Sequence, residues 1–325
     1  MTPPRVAVGV DIGGTKVLGA LVDEHGTVLA EHRVASPDDW PPMRDAIVSV
    51  VDELRAGAPE LHGLGVGAAG MVDLDGVIHY APNVPGFRQV PVRAALAEAT
   101  GLPTVVDNDA NSAAYAELRF GVAKGVGHAL VITLGTGIGG GVIVDGHVLR
   151  GAHGFAAEIG HFQTDPLGPM CACGERGHWE AAASGNALGR MARELAAAGE
   201  APGLLARAGG SIDAIEGHLV SAAAHAEMPE ALALVDRYAF NVAIGLVGLA
   251  NIFDPALIVI SGGLVNDGAL FLEPMRRHFV GHIEGAEYRP TPEIVPAAMG
   301  ERAGVIGAAV LALDHAADRS PGGRP

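Results

Sequence analysis

The sequence predicts an α/β protein of two lobes, each a mixed sheet flanked by helices, with a cleft between them. Three observations carry this prediction. A strand, a glycine turn and a second strand open the chain between residues 6 and 22, and the same device returns between residues 128 and 144. Apolar strand-like runs alternate with segments of helical period along the chain. The 325 residues, 49% of them hydrophobic, exceed the ~250–300 residues at which single cores stop growing. The expected division is a small lobe over 1–115, completed by a C-terminal helix at 302–313, and a large lobe over 116–301. The tail 314–325, which contains Ser-Pro-Gly-Gly-Arg-Pro, is expected to be disordered.

Val6–Ile12 alternates valine with small residues and predicts a buried strand. Strands at 17–22 and 28–34 follow, with His25-Gly26 turning between them, so the opening is a meander. Residues 41–55 predict a helix with Ile47, Val48, Val51 and Leu54 on one face. A strand is expected at 63–69, a helix at 92–100, a strand at 104–107 and a helix at 108–120. The second copy places strands at 128–134 and 141–144, with Asp145-Gly146 closing a hairpin. Residues 184–253 are rich in alanine and mostly helical, 257–260 form a strand, and 304–313 form the last helix.

Composition excludes several classes of protein. The 47 glycines cluster in short motifs, not in a repeat, so a collagen-like or low-complexity chain is ruled out. A formal charge of −16 with no Lys/Arg run repels nucleic acid and anionic membranes. The opening apolar run leads straight into a glycine turn, unlike a signal peptide. No run reaches the ~18 apolar residues that span a bilayer. Cys171 and Cys173 are the only cysteines, so a disulfide framework is excluded and a reducing, cytoplasmic setting is expected.

Three glycine turns suit a nucleotide. In Asp11-Ile-Gly-Gly-Thr-Lys16, the glycines let backbone N–H groups approach a phosphate and Thr15 adds a hydroxyl. Asp11 is placed to hold Mg²⁺ through water. Leu134-Gly-Thr-Gly-Ile-Gly-Gly-Gly141 repeats the device, with Thr136 as the matching hydroxyl. Neither is a Walker loop, because no Gly-Lys-Ser/Thr follows. Neither suits a dinucleotide fold, because a strand follows where that fold needs a helix. Ser261-Gly-Gly-Leu-Val265 is a third turn, flat enough for a base or ribose. Each turn alone is equally an ordinary hairpin or helix entry. In this order the three resemble the ATPase class that includes sugar kinases, heat-shock chaperones and actin.

Two further sets carry chemistry. Asp107, Asn108, Asp109 and Asn111 end a strand and open a helix. Such residues commonly cap helices, but they also offer a sugar the donors and acceptors that its hydroxyls need. A carboxylate there can accept a proton from an attacking hydroxyl. Asn83 stands on a rigid Pro-Asn-Val-Pro-Gly loop. Cys171, Cys173, His178 and His161 form a Cys₂His₂ set on a compact glycine-rich loop, and four protein ligands imply a structural zinc site.

With these motifs in order, the chain resembles the ROK family of sugar kinases and repressors from about Val6 to Leu313, most closely its bacterial glucokinases. The resemblance implies the two-lobed actin-like (ribonuclease H-like) fold, with ATP and Mg²⁺ in the cleft and a hexose phosphorylated on its 6-hydroxyl. By position it implies that Asp109 is the general base. Asn83, Asn108, Glu158, His161 and Glu180, with backbone at Gly70, would bind sugar hydroxyls. Asp11, Gly13, Gly14, Thr15, Lys16, Thr136, Gly137, Gly262 and Gly263 would contact the nucleotide. His161 would serve both zinc and sugar. A homodimer or homotetramer is implied as well. Two positions depart from the family pattern: His178 replaces a usual third cysteine, and Ala157 replaces a usual glycine before Glu158. The Asn83 loop and the helix start at Ser184-Gly-Asn-Ala-Leu188 tilt the substrate toward glucose over fructose, mannose, N-acetylglucosamine or N-acetylmannosamine. A sugar-sensing repressor is disfavoured, since those members carry a DNA-binding segment ahead of the first strand. A generic actin-like ATPase would have no use for the sugar set.

Overall fold

A computed structural model describes residues 4–58, 60–81, 84, 86–263 and 268–318. The described residues divide into two compact units. The first comprises the described residues within 1–127, 141–157 and 298–318, and the second those within 128–140 and 158–297. The first unit thus takes in the segment 141–157 as well as the C-terminal helix.

In the first unit, β1 (Val6–Ile12), β2 (Lys16–Asp23) and β3 (Val28–Ala35) form the expected antiparallel meander. After α1 (Pro42–Arg55), β4 (Leu64–Ala68) pairs parallel to β1. Three short strands, β5 (Met71–Val72), β6 (Ile78–Tyr80) and β7 (Arg88–Val90), make a small separate sheet. They went unread in the sequence because two or three residues show no period. Then come α2 (Val92–Thr100), β8 (Thr104–Asn108) parallel to β4, and α3 (Asp109–Arg119). The main sheet has the order β3-β2-β1-β4-β8.

The alternation in β1 decides what covers each face. Val8, Val10 and Ile12 point into a core with Met43, Ile47, Val50 and Leu54 of α1 and Leu96 of α2. The opposite face presents Ala7, Leu18, Ala20 and Val22 to the C-terminal helix α10 (Ala303–Asp318). Small residues on that face let the helix backbone come very close. A Cβ on Gly9 would stand 1.9 Å from the Val305 carbonyl oxygen, and one on Gly65 would stand 1.8 Å from that of Ala308. The helix also corrects the expected tail. It runs through 314–318, where Asp314 takes Tyr115 and Arg119 as partners. The rest of that expectation lies outside the described residues.

In the second unit, β9 (Ala129–Leu134) leads into β10 (Ile138–Val144), which runs on into the first unit and closes on β11 (His147–Val148). The turn is Asp145-Gly146, both at positive φ. Helices α4 (Trp179–Ala183), α5 (Gly185–Ala197), α6 (Pro202–Arg207), α7 (Gly217–His225) and α8 (Pro229–Phe253) follow. β12 (Leu257–Ser261), α9 (Ala269–His282) and β13 (Glu293–Pro296) complete it. The sheet order is β11-β10-β9-β12-β13, with β9, β12 and β13 parallel. This is the order of the first sheet, strand for strand, so the duplication expected from two short meanders extends to five strands. By length and composition alone α8 is apolar enough to cross a membrane, a stretch that strict counting of apolar runs passes over. Half of that apolar window is buried, and Leu234, Val235, Tyr238, Val242 and Leu246 belong to the core.

Candidate active site

In the first unit the β1–β2 turn is closed by the Gly13 N–H donating to the Lys16 carbonyl at 3.0 Å. Gly14, Thr15 and Lys16 are exposed at its tip. The Ser36 hydroxyl donates to the Gly13 carbonyl at 2.7 Å and its N–H to that of Thr15. Ser36 thus braces the turn from β3's end, a role that no local sequence signal marks. Asp11 precedes the turn. Burial pushes its carboxyl from the usual carboxylate range up to about 6; the neighbouring Asp109 charge adds to the rise and Lys16 opposes it. Two neighbouring carboxylates, only one of them offset by Lys16, suit a divalent cation.

Asp109 is the first residue of α3. Its Oδ1 accepts from the Ala110 N–H at 2.8 Å, and Oδ2 takes part in no hydrogen bond among the described residues. Burial pushes its pKa up, partly offset by backbone hydrogen bonding from Ala110 and from its own N–H. Asn108 is the helix cap: its Oδ1 accepts from the N–H groups of Ala110 (2.9 Å) and Asn111 (3.2 Å). Its Nδ2 donates to the Gly70 carbonyl at 3.2 Å. Asn108 therefore has one amide N–H left for a ligand, and its main work is to fix the turn. Gly70 holds φ +106, and a Cβ there would meet the Tyr80 carbonyl oxygen at 2.1 Å, so only glycine fits. Asn83 lies outside the described residues.

The second unit repeats the hairpin. The Gly135 N–H donates to the Gly137 carbonyl at 3.0 Å, leaving Thr136 exposed. Gly262, at φ +111, lies against the Leu134 carbonyl, which a Cβ would approach to 2.0 Å. Beside these turns opens a cavity of about 890 Å³, lined by Gly135, Thr136, Gly185, Asn186, Glu216 and Gly263 among others. Ser184 caps α5 at this wall, accepting from the Ala187 N–H at 3.2 Å. Arg193, Ser221 and His225 also line the cavity. These went unread, because helix-surface polar residues carry no motif.

Glu180, in the first turn of α4, reaches in two directions. Its Oε2 accepts from the Ile138 N–H at 2.9 Å and Oε1 lies 3.6 Å from Cys171 Sγ. Glu158 is exposed, and its carbonyl accepts from the His161 N–H at 3.0 Å. The ligating atoms of His161, Cys171, Cys173 and His178 all lie within 4.8 Å of one another. Cys171 Sγ is 3.8 Å from His161 Nδ1, Cys173 Sγ is 3.2 Å from His178 Nδ1, and the two Nδ1 atoms are 3.4 Å apart. A tetrahedron with metal bonds of about 2.0–2.1 Å to nitrogen and about 2.3 Å to sulfur has edges of about 3.3–3.8 Å. These three separations suit Zn²⁺, and His178 would fill the fourth corner. Without a cation, burial pushes the Cys171 thiol up to about 11.

Two five-stranded sheets of like order, each with a glycine hairpin between its first two central strands, are the build of the actin-like ATPases. The comparisons narrow this class. The chain belongs to the ROK family, whose pattern spans residues 7–315. It is 42% identical over 312 residues to a glucokinase of Streptomyces coelicolor, covering 95% of this chain and 98% of that protein. It is 33% identical to an N-acetylmannosamine kinase of Salmonella arizonae, covering 94% and 97%. A crystal structure of a ROK family glucokinase from Streptomyces griseus, in complex with glucose and AMPPNP, superposes with a TM-score of 0.85 at 41% identity, covering 95% and 99% of the two chains.

Proposed function

We propose that the protein transfers the γ-phosphoryl group of ATP to the 6-hydroxyl of glucose. The observation that supports this most is Asp109, a carboxyl fixed through Oδ1 at a helix start with Oδ2 uncommitted. An oxygen so held suits a general base for an alcohol. The similarity to glucokinases at 42% and 41% identity exceeds that to the N-acetylmannosamine kinase at 33%, which favours glucose over the N-acetylated sugars.

In this reading Gly14, Thr15, Lys16, Thr136 and Gly137 offer the phosphates backbone N–H groups, hydroxyls and one ammonium, and Gly13, whose N–H closes the turn, contributes close approach. Gly262 and Gly263 accept the adenosine at the cavity beside them. Asp11 would be the residue that holds Mg²⁺, which would supply neutralisation of the phosphate charge. Asp109 holds the 6-hydroxyl in line and takes its proton as the new P–O bond forms. Asn83, Asn108, Glu158, His161 and Glu180 hold the remaining hydroxyls, with backbone at Gly70. The Cys₂His₂ set holds a structural Zn²⁺ whose contribution is to orient His161 and order the loop. The two cysteines fit a reducing cytoplasm. A dimer or tetramer in solution is expected, measurable by light scattering.

The test is a coupled assay of ADP release with Mg·ATP and a panel of hexoses, run on wild type and Asp109→Asn. Glucose is expected to be the best substrate. The variant should bind glucose within a few-fold of wild type and lose at least ~10³-fold in kcat, most of what base catalysis and alignment supply. Turnover of Asp109→Asn near wild type would remove Asp109 as the base. Preferential turnover of an N-acetylated sugar would keep the mechanism and change the substrate.

A further inference from the structure

We propose that Arg150 is a positioning residue for phosphoryl transfer, acting through Asp107 on the turn that presents Asp109. The proposal rests on the kinase reading above and names a residue that touches neither sugar nor nucleotide in it.

Asp107 is buried near the end of β8, and its two oxygens do different work. Oδ1 accepts from the Asn108 N–H at 2.8 Å and from Asn111 Nδ2 at 3.1 Å. Oδ2 accepts from Arg150 Nε at 2.8 Å, and Nη2 stands in ion-pair contact with it at 2.7 Å. The guanidinium therefore holds one oxygen of the carboxylate while the turn holds the other, and together they fix its orientation. Asn108 caps α3, and Asp109 is that helix's first residue. Any rotation of the Asp107 carboxylate thus passes to Asp109 through one peptide and one cap. Arg150 is itself anchored. Its Nη1 donates to the Val148 carbonyl at 3.3 Å, and its own carbonyl accepts from the Ala156 N–H at 3.1 Å. One residue thereby links the 107–111 turn to the loop that leads into Ala157.

The chemistry requires arginine here. A lysine ammonium is a point donor and cannot hold Asp107 Oδ2 and the Val148 carbonyl at once from one rigid plane, as Nε and Nη1 of Arg150 do. Without any cation, a buried carboxylate is left unpaired, and it rotates or takes up a proton. Misplacing a catalytic group by about 1 Å costs about 10²-fold in rate.

The surroundings also provide a route to a direct test. A cavity of about 770 Å³ in the first unit is lined by Asp107, Val148, Arg150 and Gly154, among others. Truncating Arg150 leaves a gap beside Asp107 that opens to this cavity and that a guanidinium ion can refill.

The experiment measures steady-state kinetics and thermal midpoints for wild type, Arg150→Ala, Arg150→Lys, Asp107→Asn and the double variant R150A/D107N. Arg150→Ala is expected to lose about 10²-fold in kcat, with KM for ATP within about twofold, since no nucleotide-binding group is touched. Millimolar guanidinium should restore its kcat several-fold, without raising that of wild type or Asp109→Asn. Arg150→Lys should recover only part of the loss. The double variant should be no slower than the slower single variant, because the two residues act as one unit. A kcat for Arg150→Ala within about threefold of wild type would overturn the proposal. So would losses that follow the thermal midpoint alone, with no guanidinium rescue, which would mean scaffolding. A wild type that turns over no hexose sinks the kinase reading and this proposal together. A fully active wild type beside an unaffected Arg150→Ala sinks this proposal alone.

Discussion

Ala157 holds φ +70, immediately before Glu158. For an L-residue with a Cβ the left-handed region costs about 1–2 kcal/mol, and the family's usual residue there is glycine. Ala157→Gly removes that strain but gives the unfolded chain more freedom, worth about 0.4–1 kcal/mol. The expected net effect is therefore a gain of about 0–1.6 kcal/mol, where the same exchange inside a helix would cost about 1 kcal/mol. Urea unfolding of the two proteins measures it. A loss above 1 kcal/mol would mean that the Ala157 methyl makes packing contacts that outweigh its backbone strain. The same scale shows why motif reading goes only part of the way. The string Asp-Asn-Asp-Ala-Asn suggested hydroxyl ligands, yet in the structure Asn108 spends its oxygen on the α3 cap and one N–H on Gly70. Sequence identifies donors and acceptors; only the backbone shows which are already taken.

At the scale of elements, the first unit depends on how closely α10 approaches the sheet. A Cβ on Gly65 would stand 1.8 Å from the Ala308 carbonyl oxygen and 2.3 Å from its carbon, both backbone atoms that cannot rotate away. Gly65→Ala must push the helix off β1 and β4 or bend it. It should destabilise the protein by about 3 kcal/mol or more, the upper end for overpacking, read as a lower urea midpoint. Gly101→Ala is a control for the general cost of losing a glycine at positive φ, since nothing lies within 4 Å of a Cβ there. The loop that carries Cys171, Cys173 and His178 is the opposite kind of element, short of apolar residues and, in the proposed reading, ordered by Zn²⁺. Removing Zn²⁺ with a chelator is expected to lower the thermal midpoint and raise KM for glucose more than it lowers kcat, because His161 loses its orientation. Metal analysis should find about one zinc per chain in wild type and much less in His178→Ala. Full occupancy in that variant would exclude His178 as a ligand.

Across the whole molecule, the sequence conveyed what long periods and repeated motifs can convey. β1, α1, α2 and the second meander were legible because each is long, strongly apolar and flanked by turn residues. β5, β6, β7 and β11 were not, since strands of two or three residues have no period. The five-strand duplication was visible only at its first two strands, because β12 and β13 lie beyond the intervening helices α4 to α8. A further property of the whole chain follows from its buried acid pair. Asp11 titrates in the fold at about 6, above an unfolded value of ~3.9. A carboxyl whose folded pKa is raised favours the fold fully below the unfolded value, and that contribution is lost as pH rises through the folded one. Asp109 is shifted in the same direction by burial, and the −16 charge adds self-repulsion at high pH. In the absence of nucleotide and metal, Asp11→Asn should therefore raise stability at pH 8 by about 1–3 kcal/mol, at 1.36 kcal/mol per pKa unit. At pH 3.5, where Asp11 of wild type is mostly protonated in the folded and the unfolded chain alike, it should change little. Paired melts of wild type and variant across this range give the difference curve. A difference flat with pH would mean that Asp11 is ionised in the fold as readily as in water, and that Lys16 compensates its burial.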